Sequence, residues 1–452
     1  MPNQHTPTQD PLGERPVNGL IIAAPSSGSG KTVVTLGILA HLKSQGVRVA
    51  SMKSGPDYID PAFHARATER SCFNADGWAM RNKTLMAAVA TAGQDAELVI
   101  CEGVMGLFDG ASATEGSTAD IAKLTGWPVI LVVDSRSQGA SAAALVKGFD
   151  TYRDDVRIAG VIFNRVGSAR HQRVIREAMA GAVPHIPILG MIPMEPGLEL
   201  PSRHLGLIQA SEHVGLQALI NSAGHVIARH VDTNALKALG TGWGVSGKVS
   251  PLPPLGQRIA VARDEAFAFA YPMVLEGWRN QGAEISFFSP LDDQAPNPDA
   301  DAVFLPGGYP ELHAYRLSSA DQFLDGLRSA AGCGAVVYGE CGGYMVLGRG
   351  MQDADGTTHA MAGLLPLGTS FEARKLHLGY RSVTLIADTP LGPVHTRLKG
   401  HEFHYATISS EGPGPHLFEA HDADGVKLGR AGQVSNKVFG SFVHLIDREQ
   451  KP

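Results

Sequence analysis

Short apolar runs alternate with helical patterns through the first half of the chain, and this alternation constrains the fold more than any other feature. Six runs have the length and composition of buried strands: 18–24, 47–53, 97–102, 128–134, 158–164 and 186–191. Helical patterns, such as Thr32–Lys43, separate these runs. A repeated strand–helix–strand order predicts a largely parallel sheet that is covered by helices on both faces.

A second α/β domain is predicted in the other half of the chain. Residues 241–256 (TGWGVSGKVSPLPPLG) are dominated by Gly, Ser and Pro, which is typical of a linker. Strand-like runs restart after it, at 258–262, 284–288, 302–305 and 335–338. A chain of 452 residues is long enough for two such domains. We therefore expect domains at 17–240 and 257–448, joined by the linker.

Charge and hydropathy exclude several classes of function. The net charge is −6, charged residues make up 18% of the chain, and no long Lys/Arg run is present, so a nucleic-acid surface is not expected. No apolar run approaches the roughly 20 residues of a membrane span, and the N-terminus lacks an apolar signal core. The four cysteines show neither metal-ligand spacing nor a disulfide framework. We expect a cytoplasmic protein without a membrane partner.

A glycine-rich loop joins the first predicted strand to the first helix. The segment APSSGSGKT (24–32) fits the phosphate-loop pattern except that Pro25 replaces the first Gly. Gly28, Ser29 and Gly30 would present backbone N–H groups to phosphate oxygens, and the helix N-terminus adds a positive end. Lys31 would bridge the β- and γ-phosphates, and the Thr32 hydroxyl would reach Mg²⁺. These residues predict an ATP site, and the alternative is a turn without a ligand.

Acidic and amide side chains follow other strands of the same predicted sheet. Asp57 and Asp60 come after the second strand, Glu102 ends the third, and Asn164 ends the 158–164 run. Ligands of open α/β sheets bind outside the carboxyl ends of the strands, so these side chains face one crevice. The carboxylates would hold a metal or polarise a substrate, and Asn164 would contact a nucleobase. Turn capping is the alternative for each residue taken alone.

The second half contains a candidate nucleophile. In VVYGECGGY (336–344), Cys341 follows a strand at a sharp turn and precedes a helix, as at a nucleophile elbow. The helix N-terminus favours the thiolate, and neighbouring N–H groups, including those of 306–310 (PGGYP), would hold an oxyanion. His444, at the end of a strand, is the predicted base. The HEFH segment at 401–404 alternates as in a strand, so its two histidines would point to opposite faces, which argues against zinc.

Taken together, these motifs resemble the cobyrinic acid a,c-diamide synthase family over nearly the whole chain. They include KSGPDYIDPAFH, EGVMGLFDG, LPSRHLGL, VARDEAFAF, LPGGYPE, YGECGGYM and GHEFHY, and RKLHLGY resembles the aerobic, hydrogenobyrinate branch. The resemblance implies an N-terminal domain similar to dethiobiotin synthetase and MinD-type ATPases, followed by a class I glutaminase-like domain.

The family also implies a reaction and a set of roles. ATP would phosphorylate a corrin carboxylate, Cys341 and His444 would release ammonia from glutamine, and ammonia would displace the phosphate, first at the c and then at the a acetate. Asp57 and Glu102 would serve Mg²⁺, whereas Lys53, Asp60 and Asp109 would act on the substrates. A further implication is that the corrinoid, glutamine and ATP are the partners.

Two residues depart from the family pattern, and two alternative functions remain open. Triad glutaminases have an acid two residues after the His, but Ile446 stands there, and Asp447, one residue further, is not assigned. Met194 stands where the family pattern suggests Arg. The alternatives are a cobyric acid synthase, which amidates other side chains of the ring, and a MinD-like ATPase switch with a remnant glutaminase. A homodimer is also left open.

Overall fold

A parallel sheet of seven strands forms the centre of the first half of the chain. The computed structural model describes residues 15–196, 198, 202–203, 206–207, 209–210, 212–213, 215–242, 244–245 and 249–449. The strands are β1 (Gly19–Ala23), β2 (Val49–Ser54), β3 (Phe73–Ala75), β4 (Leu98–Glu102), β5 (Val129–Asp134), β6 (Ile158–Val166) and β7 (Ile188–Pro193). Their order is β3-β2-β4-β1-β5-β6-β7, and every pair is parallel.

Among the described residues of this half there are eight helices. They are α1 (Lys31–Ser44), α2 (Asp60–Thr68), α3 (Asn82–Gly93), α4 (Thr118–Thr125), α5 (Ser141–Tyr152), α6 (Ala169–Ala182), α7 (Leu216–His230) and α8 (Thr233–Leu239). Separate apolar clusters fill the two faces of the sheet, because alternate side chains of each strand point to opposite sides. The predicted doubly covered parallel sheet is confirmed, and two short ribbons pair 15–16 with 244–245 and 202–203 with 206–207.

The second half of the chain contains a mixed sheet of ten strands and a small sheet of four. The strands are β8 (Arg258–Ala262), β9 (Glu284–Phe288), β10 (Ala302–Leu305), β11 (Val336–Glu340), β12 (Gly350–Gln352), β13 (Thr358–Ala360), β14 (Leu367–Ser370), β15 (His377–Leu385), β16 (Arg397–His404), β17 (Thr407–Glu411), β18 (His416–His421), β19 (Lys427–Ser435), β20 (Val438–Ser441) and β21 (Val443–Arg448). The large sheet has the order β9-β8-β10-β11-β20-β19-β18-β15-β16-β21, and the small one β13-β12-β14-β17.

Only the first five strands of the large sheet are parallel, and the rest extend it with antiparallel pairs. The helices of this half are α9 (Pro272–Asn280), α10 (Ala314–Ser318), α11 (Asp321–Gly332) and α12 (Gly342–Leu347), with 3₁₀ turns at Pro290–Asp292 and Pro310–His313. The α/β class is confirmed. The domain bounds remain predictions, and part of the 241–256 linker lies outside the described residues.

The two halves pack directly against each other. Arg81, just before α3, contacts the fully buried Asp447 of β21 through its backbone N–H at 2.8 Å and its guanidinium at 2.6 Å. The Tyr380 hydroxyl donates a hydrogen bond to Asp76 at 2.8 Å, and Lys399 lies 4.2 Å above the ring of Trp78. None of the helices in the described part of the chain has the length and hydropathy that crossing a membrane requires.

Candidate active sites

The phosphate loop lies between β1 and α1, as the sequence predicts. Gly28 and Gly30 adopt left-handed backbone conformations, with φ of 78° and 84°, which glycine reaches without strain. Gly30 caps α1 without any side-chain hydrogen bond, so the first N–H groups of the helix face the loop. Ser29 donates from its hydroxyl to Ser26, and the Lys31 ammonium donates to the Met105 carbonyl at 3.2 Å. The loop therefore has the geometry of an anion site.

A buried charge cluster adjoins this loop. The Lys53 ammonium lies 2.5 Å from Asp60, 3.0 Å from Glu102 and 3.8 Å from Asp57. The Thr32 hydroxyl donates to Glu102 at 2.7 Å. The structure thus brings Asp57, Asp60 and Glu102 together at one crevice, as the sequence analysis expected, and their roles there remain predictions. One oxygen of Asp60, Oδ1, is buried and has no hydrogen-bond partner in the described structure.

The charges of the cluster follow from its burial and its composition. Burial opposes the charge on Lys53, but the three carboxylates outweigh it and raise the pKa of Lys53 well above its usual value. Burial and the charge of Asp57 raise the pKa of Asp60 to about 6, against the opposing effect of Lys53. For Glu102, Lys53 and His64 overcome burial and hold the pKa below its usual range. An ionised Glu102 and a charged Lys53 suit a site for phosphate and a cation.

His64 is a member of this cluster that the sequence-based reasoning missed. It lies on α2, is fully buried, and its Nε2 is 2.7 Å from Glu102 Oε2. Burial disfavours its charge, but contacts with Cys72 and Glu102 raise the pKa of His64 to about 10. An imidazolium here orients Glu102. The available signal was its position four residues after Asp60, which places both on one face of a helix.

Three other predicted residues have local partners in the structure. Asp57 accepts hydrogen bonds from the N–H groups of Ile59 and Asp60 at the start of α2. Asp109 accepts one from Gly106 at 2.9 Å. The Asn164 amide donates to the Ser29 carbonyl at 3.0 Å, so it fastens the phosphate loop. Their roles toward metal, substrate and nucleobase remain predictions.

Cys341 lies at the turn between β11 and α12, where a nucleophile elbow was predicted. Its φ of 48° and ψ of −105° are an unusual conformation for a residue with a side chain, as expected at such an elbow. A Cβ added to Gly307 would lie 2.1 Å from His444 Cε1 and 3.1 Å from Cys341 Cβ, so only glycine fits between the two. Cys341 and His444 are therefore neighbours. The thiol contacts the Phe403 carbonyl at 3.6 Å, and burial raises its pKa.

His444 is fully buried, and Glu340 is the acidic residue nearest to its Nδ1. Burial, together with His401 and His404, lowers the pKa of His444 to about 3, which keeps the ring neutral as a base requires. Glu340 Oε2 lies 4.0 Å from His444 Nδ1, while Oε1 accepts hydrogen bonds from Tyr338 and the Leu445 N–H. Glu340 was not predicted, because the triad pattern places the acid after the histidine. Asp447 instead pairs with Arg81.

The HEFH segment forms the end of β16. Glu402 lies 2.9 Å from the Nε2 of His404, and the His377 ring stacks on the His404 ring with an angle of 8° between planes. These three side chains bring their ligand atoms close together. A metal ion must lie near the plane of each imidazole that binds it, and two stacked parallel rings cannot share one ion in both planes. The ring geometry therefore argues against a metal site here.

The two candidate sites are joined by Tyr58. This residue belongs to the 54–60 loop that also supplies Asp57 and Asp60 to the charge cluster. Its ring centroid lies 4.6 Å from that of His444, and its hydroxyl accepts a hydrogen bond from Tyr271 at 2.7 Å. One loop therefore contacts both the phosphate site and the candidate base of the second half.

Comparisons with known proteins agree with this division. Residues 20–208 match the family model of the CobQ/CobB/MinD/ParA nucleotide-binding domain, and residues 258–452 match that of the CobB/CobQ-like glutamine amidotransferase domain. The chain is thus a glutamine-hydrolysing ligase that combines a nucleotide-binding half with an amidotransferase half.

Curated relatives define the family more narrowly. The chain is 55% identical over 432 residues to hydrogenobyrinate a,c-diamide synthase of Rhizobium meliloti (strain 1021), covering 95% of this chain and 99% of that one. The enzymes of that name from Brucella abortus and Rhodobacter capsulatus are 53% and 50% identical, over 95% of this chain and 99% and 98% of theirs. The chain belongs to the hydrogenobyrinate a,c-diamide synthase family.

Proposed function

We propose that this protein uses ATP and glutamine to amidate the a and c acetate carboxylates of hydrogenobyrinate in cobalamin biosynthesis. The names of the relatives supply the substrate, and their identity over 95% of this chain favours this activity over the cobyric acid synthase alternative. The observation that supports it best is the juxtaposition of the two sites. Tyr58 contacts His444 from the loop that holds Asp57 and Asp60 beside Lys53.

In the first half, the phosphate loop and Lys31 bind the ATP phosphates. Thr32, Asp60 and Glu102 present oxygen atoms of the kind that Mg²⁺ prefers, and the unpartnered Asp60 Oδ1 supports that fit, with Asp57 close by. A Mg²⁺ ion held by these residues would neutralise charge on the phosphates. Lys53 stabilises the phosphoryl group as the substrate carboxylate attacks it, and the products are an acyl phosphate and ADP. In this half of the proposal, Asp109 acts on the substrates and Asn164 contacts the nucleobase of ATP.

In the second half, Cys341 Sγ attacks the carboxamide carbon of glutamine while His444 accepts the thiol proton. The C–N bond then breaks, His444 returns the proton to the leaving nitrogen, and ammonia departs from a glutamyl thioester. Water hydrolyses the thioester to glutamate and restores the thiol. The ammonia attacks the acyl phosphate, which releases inorganic phosphate and leaves the amide. Free ammonia is mostly protonated at neutral pH, so a short route between the sites favours the reaction.

Glu340 is the proposed positioning residue for His444. Its Oε2 faces Nδ1, the ring nitrogen that remains once Nε2 is used on the thiol, and its carboxylate stabilises the imidazolium that forms. Its other oxygen is fixed by Tyr338 and Leu445, so the carboxylate is held in one orientation. In triad glutaminases the acid follows the histidine in the sequence. Here we assign that role to Glu340, the residue directly before Cys341.

Product mass tests the proposal. Purified protein is incubated with hydrogenobyrinate, Mg·ATP and either glutamine or ammonium. With both nitrogen donors we expect the small mass decrease of two amidations, because each carboxyl –OH is replaced by the slightly lighter –NH₂. Cys341→Ala should lose the glutamine-driven product and keep the ammonium-driven one, whereas the matched Cys333→Ala, at an exposed cysteine, should retain both. Loss of both activities in Cys341→Ala would contradict the assignment of two separate sites.

A MinD-like switch with an inactive second half is the competing function. It predicts that ATP hydrolysis continues without any glutaminase activity. The proximity of Cys341 to His444, with Glu340 behind the ring, supports a working glutaminase instead. The homodimer remains a prediction, and the concentration dependence of the mass in solution would test it.

A further inference from the structure

A large cavity opens between the two halves of the chain and is not used by either chemical step described above. Its volume is about 1140 Å³, which exceeds the range of about 300–1,000 Å³ that is usual for small-molecule sites. Its lining includes residues of the 57–66 segment, which contains the start of α2. It also includes residues of the 263–271 loop that follows β8, and Phe287 of β9. A cavity of this size suits a large ligand.

The cavity meets both reaction sites. Asp57 lines it and is also 3.8 Å from the Lys53 ammonium of the phosphate site. Tyr58 lines it too, and the ring of that residue packs against His444. A carboxylate held at this corner of the cavity would therefore be close to the phosphoryl donor and to the source of ammonia. An acceptor for both steps has to occupy such a position.

The cavity wall combines an apolar surface with arginine side chains, two of which have no ion-pair partner in the described part of the chain. The Arg263 guanidinium lies 4.6 Å above the ring of Phe287, which is 40% exposed, and that of Arg279 lies 6.0 Å from the same ring. Within the described residues, the side chains of Arg263 and Arg66 form no salt bridge or hydrogen bond. Guanidinium groups bind carboxylates in a planar, bidentate way, and an exposed aromatic ring packs on flat apolar ligands.

The VARDEAFAF motif explains how this wall is held. Asp264 accepts hydrogen bonds from Ala266 at 2.9 Å, from Ser289 at 3.1 Å and from the Leu291 N–H at 2.8 Å. These bonds tie the loop after β8 to the segment after β9. They hold the loop that positions Arg263 beside Phe287.

We propose that this cavity binds the corrin ring, with Phe287 packing against the macrocycle and Arg66, Arg263 and Arg279 binding carboxylates that are not amidated. The ligand class is a flat polycarboxylate macrocycle, and this assignment rests on the proposed function. Hydrogenobyrinate has carboxylates all around its ring, so the reacting acetate lies near Asp57 and Tyr58 while others reach the arginines. In this proposal the VARDEAFAF motif, which neither reaction step uses, forms part of the substrate site.

Steady-state kinetics and direct binding test this assignment. Arg263→Ala and Phe287→Ala are compared with Arg258→Ala, a matched change at an exposed arginine at the opposite end of β8. Equilibrium dialysis gives the Kd for hydrogenobyrinate, and the amidation rate gives its KM. We expect Arg263→Ala to raise both about tenfold or more, because a charge-assisted contact is lost, while the KM for ATP stays the same. Arg258→Ala should match the wild type.

The outcomes separate this assignment from the proposed function. If the wild type amidates hydrogenobyrinate and neither Arg263→Ala nor Phe287→Ala changes its Kd or KM by more than twofold, the cavity is not the corrin site. If the wild type neither binds nor amidates hydrogenobyrinate, the proposed function fails and the assignment fails with it. Circular dichroism and the melting temperature check that each variant is folded.

Discussion

Replacing Glu340 by Gln tests the glutaminase mechanism most directly. The change keeps the size of the side chain and removes its charge, 4.0 Å from Nδ1 of His444. At that separation two unit charges interact by about 4 kcal/mol at an effective dielectric constant of 20. Loss of this stabilisation of the imidazolium would slow thiol attack by about 10³-fold when Glu340 is fully ionised.

The pH dependence gives this prediction its sharpest form. Burial raises the pKa of Glu340 to about 8, so about a tenth of the molecules have the carboxylate at pH 7. The glutaminase kcat/KM of the wild type should therefore rise with pH and level off above about 8. The Gln variant should lack this rise, so the difference should be about 10²-fold at pH 7 and approach 10³-fold above pH 8.5.

Glutamate release from glutamine is measured from pH 6 to pH 9, alongside ammonium-driven amidation as an internal control. The ammonium-driven rate of the Gln variant should stay close to that of the wild type, because Glu340 belongs to the glutaminase half. Glu284→Gln, at an exposed position on β9, is the matched substitution. A Glu340→Gln enzyme within threefold of the wild type, with an unchanged pH profile, would refute the role of this carboxylate.

Three further predictions concern buried charges. Glu102→Gln should lower the ATP-dependent amidation rate by about 10²-fold or more while glutamate release persists, and an unaltered amidation rate would remove Glu102 from the phosphate site. His64 has a folded-state pKa of about 10, above its usual 6.5, so its stabilisation is complete below pH 6.5 and is lost as the pH rises toward 10. His64→Gln should therefore make the melting temperature depend less on pH over that range. An unchanged pH dependence of the melting temperature would contradict the ion pair with Glu102. Asp447→Asn breaks the buried pair with Arg81 and should cost about 3 kcal/mol, seen as a melting temperature several degrees lower, whereas Asp424→Asn, at an exposed turn, should match the wild type.

The sequence was sufficient wherever a site is built from consecutive residues. The phosphate loop and the Cys341 elbow each combine a strand end, a turn with unusual backbone angles and a helix start, and these local signals are written in one short segment. The carboxylates of the first site were also predictable, since parallel strands end at the same edge. His64 and Glu340 were not, because their importance lies in pairings with Glu102 and His444, which are 38 and 104 residues away.

Asn164 shows a different limit of prediction from sequence. Asn164 lies on β6, two residues before that strand ends at Val166, and beside the phosphate loop. The sequence does not indicate which partner its amide binds. In the structure the amide donates to the loop itself, and the Oδ1 atom accepts from the Arg165 N–H. A polar side chain near a ligand site often holds the residues that bind the ligand instead of binding the ligand itself. The two roles are distinguished only by its contacts in the folded structure.

The position of Tyr58 suggests why one chain contains both reactions. Asp57 and Asp60 lie on either side of it in the sequence, and its ring packs on His444. Neither ring nitrogen of His444 has a hydrogen-bond partner in the described structure, so the contact with Tyr58 is among the constraints that orient the imidazole. Ammonia released without an acyl phosphate would be wasted, and the contact of Tyr58 with His444 is a direct physical link between the phosphate-site loop and the candidate base. The same loop lines the large cavity. An acceptor carboxylate bound there would lie between the phosphate site, which activates it, and the glutaminase site, which supplies the ammonia.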